Sequence, residues 1–306
     1  MPSPLSAKVT LNDIRSARGS GEKVAMLTCY DYTTARLMHE AGVPALLVGD
    51  SAASVILGHD TTLPIPLDFL IQLTAAVRRG SPLSFLVADM PFGSYQGRTG
   101  RAVENVCRMV QLSGCDCIKL ETAAGHAKLV ARLADAGVAV MAHVGLRPQA
   151  VGLLGGYKFQ GRTAEEARRI VSLAQTMASA GAACLLLEAV PPEVAKAVVD
   201  RTDVPVIGCG AGPWCHGHVF VTHDALGLTP RRPRFVPDLG DLAGPMRESF
   251  AEYVKRVAAG EYPAPEHAYA MPPQELAKFC RTDGGDGRDG TPVAAPVKEL
   301  RDEAVR

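Results

Sequence analysis

Five side chains that can do acid, base or ligand chemistry close short apolar runs in this chain, and a glycine-rich turn closes a sixth. The runs are Ala45-Leu46-Leu47-Val48-Gly49-Asp50, Phe85-Leu86-Val87-Ala88-Asp89, Cys117-Ile118-Lys119-Leu120-Glu121, Val138-Ala139-Val140-Met141-Ala142-His143 and Cys184-Leu185-Leu186-Leu187-Glu188, then Val204-Pro205-Val206-Ile207-Gly208-Cys209-Gly210. Asp50, Asp89 and Glu121, brought together without a cation, would repel, and some would have to protonate. A hard divalent cation such as Mg2+ resolves this, with one or two carboxylates bound directly and the third through water. Each acid could instead cap a helix or pair with a lysine. Lys119 stands two residues before Glu121, so both leave the same strand face. It suits a substrate carboxylate, or a structural ion pair with Glu121 or Asp89. Glu188, in apolar surroundings, suits proton transfer or helix capping. His143 suits a substrate oxygen, or is a satisfied core imidazole.

The elements that must carry these residues follow from the runs. Short continuous apolar runs suit parallel strands buried on both faces. Val24 to Cys29 adds a first strand, and Val219 to Val221 is a weak eighth. The intervals hold helical stretches: Leu11 to Arg18, Thr33 to Ala41, Leu67 to Arg79, Arg101 to Leu112, His126 to Ala136, Thr163 to Ala180, Pro192 to Val199 and Pro245 to Ala259. Gly42 and Gly137 stop two of them. Thr163 with Glu166 approximates a capping box. The reading is an α/β fold, a closed (β/α)8 TIM barrel, in which strand C-termini form the active-site face. All the candidate side chains then meet at one mouth.

The chain has 306 residues, and its 32 Lys+Arg balance its 32 Asp+Glu. Zero net charge argues against a nucleic-acid partner. The first twenty residues lack a secretory core, and no apolar run reaches the roughly 18 residues of a membrane span. The expectation is a cytoplasmic protein with reduced cysteines, eight in all and with no C-x-x-C pair. Gly208-Cys209-Gly210-Ala211-Gly212 could approach an anion, though its spacing is not that of a dinucleotide fingerprint. Cys215-His216-Gly217-His218 with His223 fits no common zinc spacing. Gly152 to Lys158 is either a lid or a long surface connection. Residues 1–271 read as one catalytic domain, and 272–306 as a flexible C-terminal tail poor in apolar surface.

Several segments resemble one known family. They are Leu47-Val48-Gly49-Asp50-Ser51, Gly58-His59-Asp60-Thr61-Thr62-Leu63-Pro64, Ala88-Asp89-Met90-Pro91-Phe92, Ile118-Lys119-Leu120-Glu121, His143-Val144-Gly145-Leu146-Arg147-Pro148-Gln149, Gly155-Gly156-Tyr157-Lys158-Phe159-Gln160-Gly161 and the glycine turn at 208–212. In order and spacing they look like 3-methyl-2-oxobutanoate hydroxymethyltransferase, also called ketopantoate hydroxymethyltransferase, over Ala7 to Met271. The resemblance implies a barrel of the phosphoenolpyruvate mutase/isocitrate lyase type. It implies transfer of a one-carbon unit from 5,10-methylenetetrahydrofolate, as co-substrate, to 3-methyl-2-oxobutanoate, giving 2-dehydropantoate for pantothenate biosynthesis. It implies Mg2+ on Asp50 and Asp89 with Glu121 in the metal's shell. Asp50, Ser51, Asp89, Lys119 and His143 are then the substrate-binding residues, and Glu188 handles the C3 proton. A homo-oligomer, a decamer, is implied as well.

The pattern departs in three places. Ala52-Ala53-Ser54 replaces a usual Leu-Gly-Met, Gln72-Leu73 a usual Tyr-His, and His216-Gly217-His218 a usual Asp-Gly-Gln. These changes are expected near the substrate mouth. They leave room for a hydroxymethyltransferase, or a C–C lyase or aldolase of the same barrel group, acting on another 2-oxo acid.

Overall fold

A computed structural model describes residues 4–282. Eight parallel strands close into a barrel in sequence order: β1 (Val24–Thr28), β2 (Ala45–Val48), β3 (Phe85–Asp89), β4 (Cys117–Glu121), β5 (Val140–Gly145), β6 (Cys184–Glu188), β7 (Val206–Cys209) and β8 (Gly217–His218). Pairing of β8 with β1 and β7 completes the ring. The expected eighth strand at Val219 to Val221 is displaced to Gly217–His218. A Cβ at position 217 would stand 2.6 Å from the Val24 carbonyl oxygen. Glycine lets the backbones meet there, where no apolar run marks a strand.

The helices that accompany the strands are α1 (Leu11–Ser20), before β1, then α2 (Tyr32–Glu40), α3 (Ala52–Val55), α4 (Leu67–Gly80), α5 (Thr99–Ser113), α6 (Ala127–Asp135), α7 (Val151–Leu154), α8 (Ala164–Ser179), α9 (Pro192–Arg201) and, after β8, α10 (Thr222–Ala225). The start of α8 is a full capping box: the Glu166 N–H donates to Thr163 Oγ1 at 3.2 Å, and the Thr163 N–H to Glu166 Oε2 at 3.3 Å. Alternation along the strands builds two cores. Ala45, Leu47, Phe85, Val87, Cys117, Met141, Cys184, Leu186 and Ile207 fill the barrel interior, joined by Ile14 of α1. Leu46, Val48, Leu86, Ala88, Ile118, Leu120, Leu185 and Leu187 face the helices. Two residues beyond the last inward apolar position, β3, β4, β5 and β6 present a polar group at the same end of the barrel: Asp89 after Val87, Lys119 after Cys117, His143 after Met141 and Glu188 after Leu186.

The chain falls into two compact units, the second beginning at Asp241, and the barrel is complete in the first. The expected domain end at 271 thus lies inside the second unit. That unit carries α11 (Ala243–Ala258) and α12 (Pro273–Thr282). The helix α12 occupies the first part of the stretch expected to be a flexible tail, 272–306. Pro273 at its first position is pre-set for a helix start, and Glu275 and Arg281 favour its two ends. The remainder of that tail lies outside the described residues.

Candidate active site

Five site residues are almost wholly buried: Asp50, Asp89, Lys119, Glu121 and His143. Asp89 closes β3, and its register partner on β4 is Lys119, so the two meet side by side. Lys119 Nζ donates to both Asp89 oxygens, at 2.6 and 2.8 Å. Asp50 lies two residues past β2, on the turn into α3, and its N–H donates to Asp89 Oδ2 at 3.1 Å. Ser51 Oγ sits 2.8 Å from the Tyr30 hydroxyl. Gly49 makes room for it, because a Cβ there would stand 2.8 Å from Ser51 Oγ.

Glu121 and Glu188 complete the acidic set. Both Glu121 oxygens accept the Gln149 N–H, at 3.0 and 3.2 Å. Glu188 Oε2 lies 3.4 Å from His143 Nε2, and Glu121 Oε1 lies 4.0 Å from His143 Nδ1. Neither contact has hydrogen-bond geometry, so both buried imidazole nitrogens lack a hydrogen-bond partner among the described residues. A buried polar group left so is costly unless a ligand completes it.

Burial and mutual repulsion set the charge states. Burial, then the Asp89 charge, pushes the Asp50 carboxyl up to about 7, against the pull of Lys119. Burial holds Glu121 well above the carboxylate range, with Lys119 opposing and the two aspartates adding to the rise. Burial pushes Glu188 up to about 8, with Lys119 again opposing. Burial alone would lower Lys119, but Asp89, Asp50 and Glu121 outweigh it and hold the ammonium above its usual range. Burial and the Lys119 charge hold His143 well below the usual imidazole value, so the ring is neutral.

Among the described residues, no three His, Cys, Asp or Glu side chains form a ready-made metal cage. Mg2+ is commonly held by one or two carboxylates, with water and substrate oxygens filling its octahedron. The donors here suit that pattern in chemistry. Asp50 and Asp89 are adjacent hard oxygen donors, and burial, with the neighbouring carboxylates adding, makes the charged forms of Asp50 and Glu121 costly, a cost that a cation would relieve. The Cys215 to His218 stretch serves the barrel wall instead. His216 Nδ1 accepts the N–H of Val206, the first residue of β7, at 3.0 Å.

Two of the three sequence departures lie away from the mouth. Gln72 is exposed on α4, and Leu73 packs against the outer core. His216 is at the N-terminal end of β7, and His218 approaches Gly208, which faces outward between inward Ile207 and Cys209. Only Ala52 and Ala53, both fully buried, adjoin a site residue, Ser51. Residues spaced far apart in sequence do more at the site than the strand-end pattern indicated. Gln149 bridges Asp50 and Glu121, and the Tyr95 hydroxyl donates to Gln149 Oε1 at 2.9 Å. Gln149 closes the His143 to Gln149 motif, which gave it no role; nothing in the sequence marked Tyr95.

A family model described as ketopantoate hydroxymethyltransferase matches residues 8–265. The 3-methyl-2-oxobutanoate hydroxymethyltransferase of Thermobifida fusca is 43% identical over 265 residues, covering 86% of this chain and 94% of the relative. That of Carboxydothermus hydrogenoformans is 40% identical over 273 residues, covering 89% and 99%. Among solved structures, a phosphonopyruvate hydrolase superposes with a TM-score of 0.59 at 16% identity, covering 89% of this chain and 95% of its own. A 2,3-dimethylmalate lyase of the PEP mutase/isocitrate lyase superfamily gives 0.54 at 17%, covering 88% and 94%. These two show the likeness of the barrel fold. The family match and the near full-length relatives establish more: this chain belongs to the ketopantoate hydroxymethyltransferase family.

Proposed function

We propose that this enzyme transfers a hydroxymethyl group from 5,10-methylenetetrahydrofolate to 3-methyl-2-oxobutanoate, giving 2-dehydropantoate in pantothenate biosynthesis. The observation that carries the reading is the partly buried Glu188 carboxyl, raised to about 8, beside an imidazole whose two nitrogens await partners. A base poised near neutral pH suits abstraction of a proton next to a carbonyl.

Asp50 and Asp89 would hold Mg2+, with Glu121 reaching it through water; when bound, the cation supplies Lewis acidity at the 2-oxo group. Ser51 and Lys119 bind the oxo acid, the ammonium answering its carboxylate. Neutral His143 offers one N–H to a substrate oxygen. Glu188 takes the proton from C3, which leaves an enolate. The enolate carbon forms the new bond to the one-carbon unit, and both C–N bonds that held the unit to folate break. Water supplies the hydroxyl oxygen. One proton from water and the one held by Glu188 go to the two folate nitrogens as tetrahydrofolate leaves. Exclusion of bulk water by the buried walls strengthens each of these contacts.

The same reading makes the enzyme a cytoplasmic homo-oligomer, a decamer. Met246, Phe250, Tyr253, Val254 and Val257 of α11 are exposed, an apolar stripe of the kind that assemblies bury. Light scattering on the purified chain tests this.

Proton NMR of 3-methyl-2-oxobutanoate with enzyme and Mg2+ in D2O, with and without the folate, tests the reaction. Loss of the C3 proton signal and a folate-dependent hydroxymethyl product are expected. Folded, Mg2+-loaded protein that gives neither refutes the proposal. Asp89→Asn should raise the Mg2+ concentration needed, and unchanged Mg2+ dependence counts against ligation by Asp89.

A further inference from the structure

We propose that Gln149 is the positioning residue of the cation site: its buried side-chain amide sets Asp50, while its backbone N–H, held in the same turn, meets Glu121. The inference rests on the site reading above. Gln149 sits in a 3-10 turn, Pro148–Ala150, just past β5. Its Nε2 donates to Asp50 Oδ2 at 2.8 Å and to the Met90 carbonyl at 2.9 Å. Its Oε1 accepts from the Tyr95 hydroxyl at 2.9 Å and from Gln96 Nε2 at 3.1 Å. Its backbone N–H is shared by the two Glu121 oxygens.

Every hydrogen-bonding position of the amide is therefore used, and its orientation is set. Turned over, it would aim Oε1 at a carboxylate and a carbonyl and Nε2 at two donors. The residue is only 6% exposed, so water cannot substitute for a lost partner. On its turn after β5 it joins the segments following β2 and β3 to the last residue of β4. With Oδ2 committed to Gln149, the plane of the Asp50 carboxylate is fixed. The Tyr95 hydroxyl accepts the Glu121 N–H at 3.1 Å, which ties the end of β4 into the same frame. Outer partners of this kind govern how well first ligands present themselves to a metal. A glutamine that merely filled space would not have both amide hydrogens and both lone pairs of Oε1 paired, one of them to Asp50.

The test is Mn2+ affinity of the full chain without substrate, read by electron paramagnetic resonance of the free ion. Gln149→Leu should weaken binding by roughly 10- to 100-fold. Tyr95→Phe, which removes one bond to Oε1 and the acceptor of the Glu121 N–H but leaves Gln149 in place, should weaken it by roughly two- to tenfold. Circular dichroism establishes that each variant is folded. Folded Gln149→Leu that binds Mn2+ within twofold of wild type overturns the inference alone. Should Gln149→Leu fail to fold, Tyr95→Phe decides, and an unchanged affinity there overturns it. A wild-type chain that binds no Mn2+ overturns the site reading, and the inference with it.

Discussion

Replacing Glu188 by glutamine should cost catalysis and raise stability, and the two effects come from the same burial. The carboxyl is pushed from 4.5 up to about 8. The folded chain therefore holds this proton more tightly than the unfolded chain does. The stability it contributes is fully present below pH 4.5 and is lost as pH rises through about 8. At roughly 1.4 kcal/mol per unit, the loss by pH 9 is at most about 5 kcal/mol. Glutamine carries no charge to bury and escapes it, so Glu188→Gln should be the more stable protein in urea at pH 9, with little difference at pH 4. As a base, only the ionised form works: roughly one-tenth of molecules at pH 7 and nine-tenths at pH 9. Proton exchange at C3 should rise with pH along a limb at or below about 8, because a cation beside Asp50 and Asp89 cancels charge that holds Glu188 up. The variant should lose that limb, and exchange should fall roughly 10^2- to 10^4-fold, as for other general bases. The assay is deuterium exchange by NMR across pH, paired with urea unfolding at both pH extremes. Exchange within tenfold of wild type, or a variant less stable than wild type at pH 9, refutes the reasoning.

Lys119→Met removes the partner of a carboxylate that is 1% exposed, and should destabilise the fold by about 3–5 kcal/mol in urea unfolding while abolishing oxo-acid binding. Gly145→Ala places a Cβ 2.3 Å from the Glu188 carbonyl oxygen at a φ of +96°, so it should shift the end of β6, lower the melting temperature and reduce exchange. Gln72→Tyr restores the family's usual residue on an exposed face of α4, and kcat/KM should stay within about twofold of wild type. A larger change would place that helix nearer the substrate than the structure does.

The strand-end pattern was legible because a parallel strand buried on both faces must be apolar throughout, so a polar residue closing the run marks where the barrel wall stops. Asp89, Glu121 and Glu188 are the final residues of β3, β4 and β6. His143 lies two residues inside the end of β5, and Asp50 two residues outside the end of β2. Run length sets a strand only to within the reach of its neighbours' hydrogen bonds. The displaced β8 shows the limit: two residues, one of them glycine, are held by register with β1 and β7 rather than by any propensity of their own. Gln149 shows a second limit. Its bond to Asp50 joins residues 99 apart in sequence, and no local pattern encodes such a contact.

The placement of the departures bears on substrate choice. Selectivity among 2-oxo acids depends on the walls around C3 and its substituents, since the oxo and carboxylate groups are common to all of them. Gln72-Leu73 and His216-His218 touch outer packing and the N-terminal side of the barrel. Ala52 and Ala53 are the exception, being buried and next to Ser51. Ala52 is smaller than the usual Leu and Ala53 one methyl larger than the usual Gly, so beside Ser51 the pair adds apolar space at one position and takes a little at the next. Such a change tunes fit by the worth of a methylene or two, about 1–3 kcal/mol. It leaves the acids, the lysine and the base, and hence the type of chemistry, where they were.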